Sequence, residues 1–544
     1  MAPRRVVVVG GGITGLTAAY RLLHPADAGT AVPRVVLIDS AERLGGKILS
    51  VPFEGRLVDE GADAFLLRVP WAIELCDELG ISAERISPAV GGASVAHLGT
   101  HGPQLTPLPD GLVGGVPTRL GPLLRSPLLG PAGTLRAAAD YVLPRRFTAH
   151  RLGPDGIGVV THGEGAVSAS GTVRVRPGAA TVGDIVRSRL GAAVAYKVVD
   201  PLLGSISAGD IDRLDAAMSA PILGQALGRS RSLMRGLRRM QPAPGASASG
   251  QSSPAPIFGS FEAGMGRLVQ ALMERLDGCI LRLGTPVEAI RRPGTRFAVD
   301  TGSEVLDADA VIVAAPAHAA AQMLPGAPNA AAALARIGYA SVAVTTLSVR
   351  PDAIEAPQEA GFLVTRDTGW LTTACSYGSA KWPHWTGANQ GADRAGSADR
   401  GQGQADVGDA CVGETRRPDI AGMVLRVSVG RDGDDRHTRL DDTELLNTVL
   451  AELSSLPPLR GLREPGAVTA WRVSRWERSL PQYRPGHGRL VERIEEALAR
   501  ELPGVFVTGA AYRGLGIPAC IRQGNETAAA VVQHLGLDRT TASP

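Results

Sequence analysis

The chain has 544 residues, of which 44% are hydrophobic, and its mean hydropathy is +0.06. That is enough for two or three domains with ample core. Its 56 basic and 53 acidic residues leave a net charge of +3, which excludes the strong basic footprint of a nucleic-acid binder. The five cysteines (Cys76, Cys279, Cys375, Cys411, Cys520) are scattered without a CxxC pair. They argue against a disulfide framework or a zinc site and fit a reducing cytosol.

In chain order, residues 4–10 form a valine run, the mark of a strand buried on both faces. A helix is expected over 15–23, then a Pro-bounded loop and a second strand over 34–39, making a β-α-β unit. The N-terminus runs directly into this strand, so no signal peptide is expected. Residues 110–235 predict a mainly helical lobe, with the best helices at 135–143 and 182–203. Strand character returns at 258–261, helical spacing at 267–276, and strands at 280–283, 296–300 and 310–314. Strand-like runs at 336–385 and 422–430 suggest a second sheet. Stretches 241–256 and 386–417 are low in complexity and hold too few apolar groups to offset ordering entropy, so flexible insertions are expected there. The uncharged stretches 86–109 and 310–335 are broken by Gly, Pro and polar residues, and neither reads as a spanning helix. A peripheral membrane contact stays open.

Chemistry concentrates in glycine motifs. In Gly10-Gly11-Gly12-Ile13-Thr14-Gly15, Gly10 permits a tight turn and Gly12 lets backbone approach a pyrophosphate. Gly15 lets the helix pack on the strand, and free N–H groups at the helix start face the anion. Following a valine run and opening a helix, this motif predicts nucleotide binding. Asp39 ends the second strand, placed to accept ribose hydroxyls. Arg43-Leu44-Gly45-Gly46-Lys47 follows, and then Asp59-Glu60-Gly61-Ala62-Asp63-Ala64. Residues 504–521 hold an apolar strand, a glycine-rich turn and a helix, a second strand–turn–helix almost 500 residues after the first.

The N-terminal set resembles the glutathione-reductase-type FAD fold, in its flavin amine oxidase-like superfamily. The C-terminal Gly509-Ala510-Ala511-Tyr512-Arg513-Gly514-Leu515-Gly516-Ile517-Pro518 is similar to the terminal signature of oxygen-dependent porphyrinogen oxidases. So are Asp184 to Gly191, Asp200 to Gly204, Phe258 to Gly266, and Pro481-Gln482-Tyr483 with Gly486-His487. The chain departs from the family pattern at Ala510, where Asn is frequent, at Val69, where Lys is common, and at residues 205–209.

The resemblance implies an α/β fold: a discontinuous FAD-binding Rossmann domain (1–85, 257–320, 500–540), an inserted α+β substrate domain (86–109, 321–385, 418–499) and the helical lobe. It implies FAD contacts at Gly10, Gly11, Gly12, Ile13, Thr14 and Gly15 for the pyrophosphate, and at Asp39 and Ser40 for the ribose. Lys47, Gly61, Ala62, Asp63 and Ala64 would lie near the flavin, and Val287 near the adenine. Ala510, Leu515, Gly516 and Ile517 would lie along the isoalloxazine, with the following helix aimed at it. Trp476 is either a ring neighbour or a core tryptophan. The implied activity is oxidation of coproporphyrinogen III by O₂, with protoporphyrinogen IX as the alternative substrate and amine oxidation or desaturation as a further one. Arg68 is the candidate for a substrate propionate. His487 is either a proton acceptor or a buried structural histidine.

Overall fold

The computed structural model describes residues 3–27, 29–143, 180–241, 256–386 and 422–538. The expected insertions at 241–256 and 386–417 fall, apart from residues 241, 256 and 386, outside them.

The valine run becomes strand Arg5–Val9, central in a five-stranded parallel sheet. The strand order is Ile280–Arg282, Arg34–Ile38, Arg5–Val9, Ala310–Val313, Val505–Val507. Val6, Val7 and Val8 are wholly buried because both sheet faces are covered. Helices Ile13–Leu23, Trp71–Leu79, Gly266–Met273 and Ile517–Leu535 cover one face. The antiparallel strands Ala289–Arg291, Phe297–Asp300 and Val305–Ala308 cover the other, with helices Ala317–Met323, Pro328–Leu334 and His487–Glu501. The first helix begins at Ile13, two residues earlier than its sequence suggests, so Gly15 lies inside it.

The second sheet has seven strands, ordered Val468–Gln482, Gly338–Val349, Met423–Val429, Thr372–Tyr377, Gly361–Val364, Ser94–Gly99, Gly102–Pro107. All neighbours run antiparallel except Gly361–Val364 beside Ser94–Gly99. Alternate residues Ala343, Leu347 and Val349 bury against helix Asp442–Leu453.

The helical lobe departs from its sequence reading in where its helices begin and end. The helix expected over 182–203 stops at Leu190, because Gly191 turns to φ +89°. Arg136 replaces the missing helical partners there, donating to the carbonyls of Arg187, Ser188 and Arg189 at 2.9–3.1 Å. The chain resumes through a wide turn, Ala195–Val199, into helix Asp200–Ser207. Likewise the helix expected at 135–143 runs over Gly130–Ala138. No long apolar run stands out in the lobe's sequence, yet Leu124, Leu135 and Val142 are 72–75% exposed. Among the described residues no helix is long and apolar enough to cross a membrane.

Inside the lobe, Asp140 and Arg189 are both fully buried and ion-paired at 2.8 Å. Asp140 also accepts from Ser232 Oγ and the Leu233 and Met234 N–H groups at 2.7–3.1 Å. Asp140→Ala strands the Arg189 charge and should cost about 3–5 kcal/mol. Limited proteolysis should then cut the lobe of the variant well before the rest of the chain; wild-type resistance there would contradict this role.

Asp59, 1% exposed, accepts from Ser50 Oγ and from Met265 N–H at 2.9 Å, joining strand Arg56–Asp59 to the start of helix Gly266–Met273. Burial lifts its pKa from 3.8 to about 6, against the pull of Ser50 and Arg426. The folded state therefore holds a proton that the unfolded state releases between pH 3.8 and about 6. Stability attributable to Asp59 should fall by about 3 kcal/mol as pH rises through that window. Denaturant titrations across it should show this slope in wild type and its loss in Asp59→Asn.

Candidate functional site

The two ends of the chain meet at the C-terminal edge of the parallel sheet. Gly10 takes φ +107°, and a Cβ there would stand 2.8 Å from the Ala314 carbonyl. A Cβ on Gly15 would lie 1.9 Å from Gly10 O, so only glycine lets the first helix sit this close to its strand. At Gly12 a Cβ would meet nothing within 4 Å. Gly12 caps the helix with no side-chain hydrogen bond, so no side chain takes the first N–H groups of Ile13 and Thr14 beside the open space at Gly12. A cradle of backbone donors beside open space fits a phosphate group.

Asp39 holds this cradle in place. One carboxylate oxygen accepts from Gly11 N–H at 2.6 Å and the other from Ala41 N–H at 2.8 Å. Each oxygen keeps a lone pair for a ribose hydroxyl. Ser40 beside it is exposed. Gly45 bridges to Gly12, and Gly46, at φ +57°, brings its own backbone against Gly12. Lys47 follows: solvent reaches its side chain, yet surrounding protein desolvates the ammonium and lowers its pKa. Such a residue lines a cleft. Val287, 7% exposed, packs beside the strand end after Arg282.

The loop of residues 61–64 closes the cleft from below. A Cβ on Gly61 would stand 2.0 Å from Lys47 O and 3.4 Å from the Trp476 ring. Trp476 is half-buried, and its indole N–H donates to Glu60 O at 3.0 Å. Ala62 N–H donates to Lys47 O at 3.2 Å, and Ala64 packs beside Phe53 and Trp382. The Asp63 carboxylate points away, to Lys381 Nζ at 2.7 Å, Trp382 Nε1 at 3.2 Å and Arg426 Nη1 at 3.4 Å. Burial alone would raise its pKa, but these two cations and the hydrogen bonds hold it well below the usual carboxylate range. Arg426 also donates to Gly61 O at 2.7 Å. Glu60, 1% exposed, accepts from Thr346 and Ser474 hydroxyls at 2.9–3.0 Å. The loop is thus bolted to the second sheet through side chains whose role composition does not announce. The acidic pair Asp59-Glu60 beside glycine was their only sequence signal.

The C-terminal turn completes the site. Gly509 takes φ +121° and lies near Thr14 Oγ1 and Ala314 O. Tyr483 Oη donates to Ala510 O at 2.6 Å and accepts from Gly514 N–H at 3.0 Å. His487 stacks on Tyr483 with ring centroids 4.3 Å apart. Its Nε2 lies 3.0 and 3.1 Å from the carbonyls of Ala511 and Tyr512, so that nitrogen carries the proton. Desolvation lowers the pKa of His487 and keeps the ring neutral. His487 is therefore a structural clamp, and its Nε2 is taken. Gln523 and Arg522 hold the turn from the other side, at Gly514 O and Arg513 O. Helix Ile517–Leu535 then starts at Gly516, again with no side-chain cap. Leu515 and Gly516 stay accessible, while Ile517 is buried. The Thr14 and Cys520 side chains, one in the first turn of each uncapped helix, are in contact. Arg68 is exposed in the turn after Phe65–Leu66 and forms no ion pair with the described residues.

Two uncapped helix starts, a glycine cradle and a desolvated lysine around one cleft suit an extended dinucleotide. The profile of the flavin-containing amine oxidoreductases matches residues 13–532. The coproporphyrinogen III oxidase of Bacillus subtilis (strain 168) is 31% identical, with 98% of each chain covered. That of Mycobacterium tuberculosis (strain ATCC 25618 / H37Rv) is 30% identical, over 98% of this chain and 99% of the relative. A solved protein from Exiguobacterium sp. 255-15, provisionally named protoporphyrinogen oxidase, superposes with a TM-score of 0.74 at 26% identity, over 98% and 99% of the two chains. Cyclohexylamine oxidase from Brevibacterium oxydans IH-35A shares the fold at a TM-score of 0.60 and 15% identity. The cofactor is FAD, and the chain belongs to the flavin-containing amine oxidoreductase family.

Proposed function

We propose that the chain is an FAD-dependent oxidase that converts coproporphyrinogen III to coproporphyrin III. Three pairs of hydrogens leave the macrocycle and reduce three O₂ to three H₂O₂. The observation that carries the reading is the 509–517 turn, pinned by Tyr483 and closed onto the glycine cradle of the first helix. The full-length kinship with relatives named coproporphyrinogen III oxidase supports the substrate.

In this reading Gly10, Gly11, Gly12, Ile13, Thr14 and Gly15 hold the pyrophosphate, and Asp39 and Ser40 the ribose. Val287 borders the adenine. Lys47, Gly61 to Ala64, Trp476, Ala510, Leu515, Gly516 and Ile517 surround the ring system. FAD, bound there, supplies the electron acceptor, while the protein orients the macrocycle and excludes side reactions. The positive end of helix Ile517–Leu535 stabilises negative charge developing beside it. Lys47, with its lowered pKa, adds a cation on the same wall. The FAD-binding region takes in helices Pro328–Leu334 and His487–Glu501, which pack on the parallel sheet, and the regions otherwise divide at the boundaries given above. Arg68, exposed and without an ion pair among the described residues, is placed to meet a propionate. The separate, unpaired Cys76, Cys279, Cys375 and Cys520 favour a cytoplasmic enzyme. Protoporphyrinogen IX is the second reading, favoured by the exposed Leu124, Leu135 and Val142, which suit contact with a membrane-borne substrate.

Purified protein should carry yellow flavin and raise porphyrin fluorescence and peroxide faster with coproporphyrinogen III than with protoporphyrinogen IX. The reading fails if neither exceeds its autoxidation control while a primary amine bleaches the flavin. Tyr483→Phe leaves Ala510 O and Gly514 N–H without their shared partner, at about 1–3 kcal/mol. Flavin titration of the apoprotein should show FAD bound about ten-fold or more weakly; unchanged affinity would remove the turn from the cofactor site.

A further inference from the structure

A second cationic wall lies where the helical lobe meets the end of the second sheet. Arg366 follows strand Gly361–Val364, Arg431 follows strand Met423–Val429, and Asp200 begins the lobe helix facing both. Arg366 Nε donates to Asp200 Oδ2 at 2.9 Å and its Nη2 to Gly209 O at 2.7 Å. Asp200 is 3% exposed, and its other oxygen accepts from Ile211 N–H at 3.3 Å. This carboxylate is committed.

Arg431 is left over. Its guanidinium has one long contact, to Thr372 O at 3.4 Å, and no ion pair among the described residues. The carboxylates that follow it in the chain already hold other arginines. Asp432 takes Arg484 at 2.7–2.8 Å and Arg213 at 3.0 Å, and Asp434 takes Arg436. Burial lowers the pKa of Arg431 and Arg366 beside it adds to the effect, while Asp200 and Asp434 oppose it without forming an ion pair to it. Arg431, half-buried with one long hydrogen bond and no ion pair among the described residues, keeps donors available for an anion. Asp200, Ser205, Arg366, Thr373 and Arg431 line a narrow pocket of about 10 Å³, in which both Asp200 oxygens are already engaged, by Arg366 and Ile211 N–H. The volume is room for one water or one carboxylate oxygen, and for no ring.

The pocket belongs to the same rigid frame as the flavin turn. Gln482 Nε2 donates to Ser207 O at 2.7 Å, and Asp432 N–H to Ala208 O at 2.6 Å. The neighbouring Tyr483 reaches Ala510 O. A ligand held by the turn and by Arg431 would therefore lie between the lobe and the second sheet.

We propose that Arg431, with Arg366 behind it, binds one carboxylate arm of the macrocyclic substrate and so sets the preference for a carboxylate-rich porphyrinogen. This rests on the porphyrinogen oxidase reading above. The geometry suits it because a guanidinium fork matches a carboxylate and the pocket admits only the tip of an arm.

The test is fluorescence-quench titration of the FAD-loaded enzyme with coproporphyrin III and with its tetramethyl ester. In Arg431→Met the free acid should bind about ten-fold more weakly, as expected for one charge-assisted hydrogen bond, and the ester as in wild type. Arg431→Lys should recover part of the loss, and KM for coproporphyrinogen III should rise more than kcat falls. Equal weakening of acid and ester would mark a merely structural role and overturn the inference. So would unchanged acid binding in both Arg431→Met and Arg431→Lys. Wild type that binds neither porphyrin would overturn the porphyrinogen reading itself.

Discussion

Helix Ile13–Leu23 and helix Ile517–Leu535 pack side by side through Gly524, where a Cβ would stand 2.7 Å from Thr14 O. Almost the whole chain separates these residues, and the site exists only where they touch. The parallel sheet makes the meeting unavoidable. Strand Arg5–Val9 pairs with Ala310–Val313, which pairs in turn with Val505–Val507, so the turns after the first and last strands open at the same edge. Ligands in open α/β sheets bind outside such carboxyl ends. The two uncapped helix starts bring their positive ends to the same cleft.

The second sheet is the scaffold that stiffens this edge. Strand Val468–Gln482 carries Ser474 and Trp476 to the Glu60–Gly61 loop, and then reaches Tyr483, which holds the C-terminal turn. One long strand thus fixes both walls of the cleft. It also joins the helical lobe, through Gln482 to Ser207 and through the Asp215 N–H donated to Tyr483 O at 2.7 Å. These hydrogen bonds tie the lobe, the second sheet and the C-terminal turn into one connected frame.

Much of this was legible in the residues. The valine run, the glycine spacing and Asp39 announce a nucleotide cradle because backbone geometry leaves few alternatives at Gly10 and Gly15. The terminal turn was visible through its wording. The Tyr483–His487 clamp was not, because a tyrosine and a histidine four residues apart say nothing about carbonyls at 510–512 until the chain is folded. The pairs Asp63–Lys381 and Asp63–Arg426 were hidden for the same reason, since partners more than 300 residues apart leave no local pattern. The break at Gly191 escaped because the lobe's apolar residues continue through it, while Arg136, 55 residues upstream, supplies the cap.

Hydrogen–deuterium exchange of the apoprotein and the FAD-loaded protein tests most directly whether both ends of the chain build one cofactor site. Adding FAD should slow exchange together at residues 11–16 and at 509–518. Protection confined to the N-terminal segment, with the C-terminal turn exchanging as before, would contradict the account.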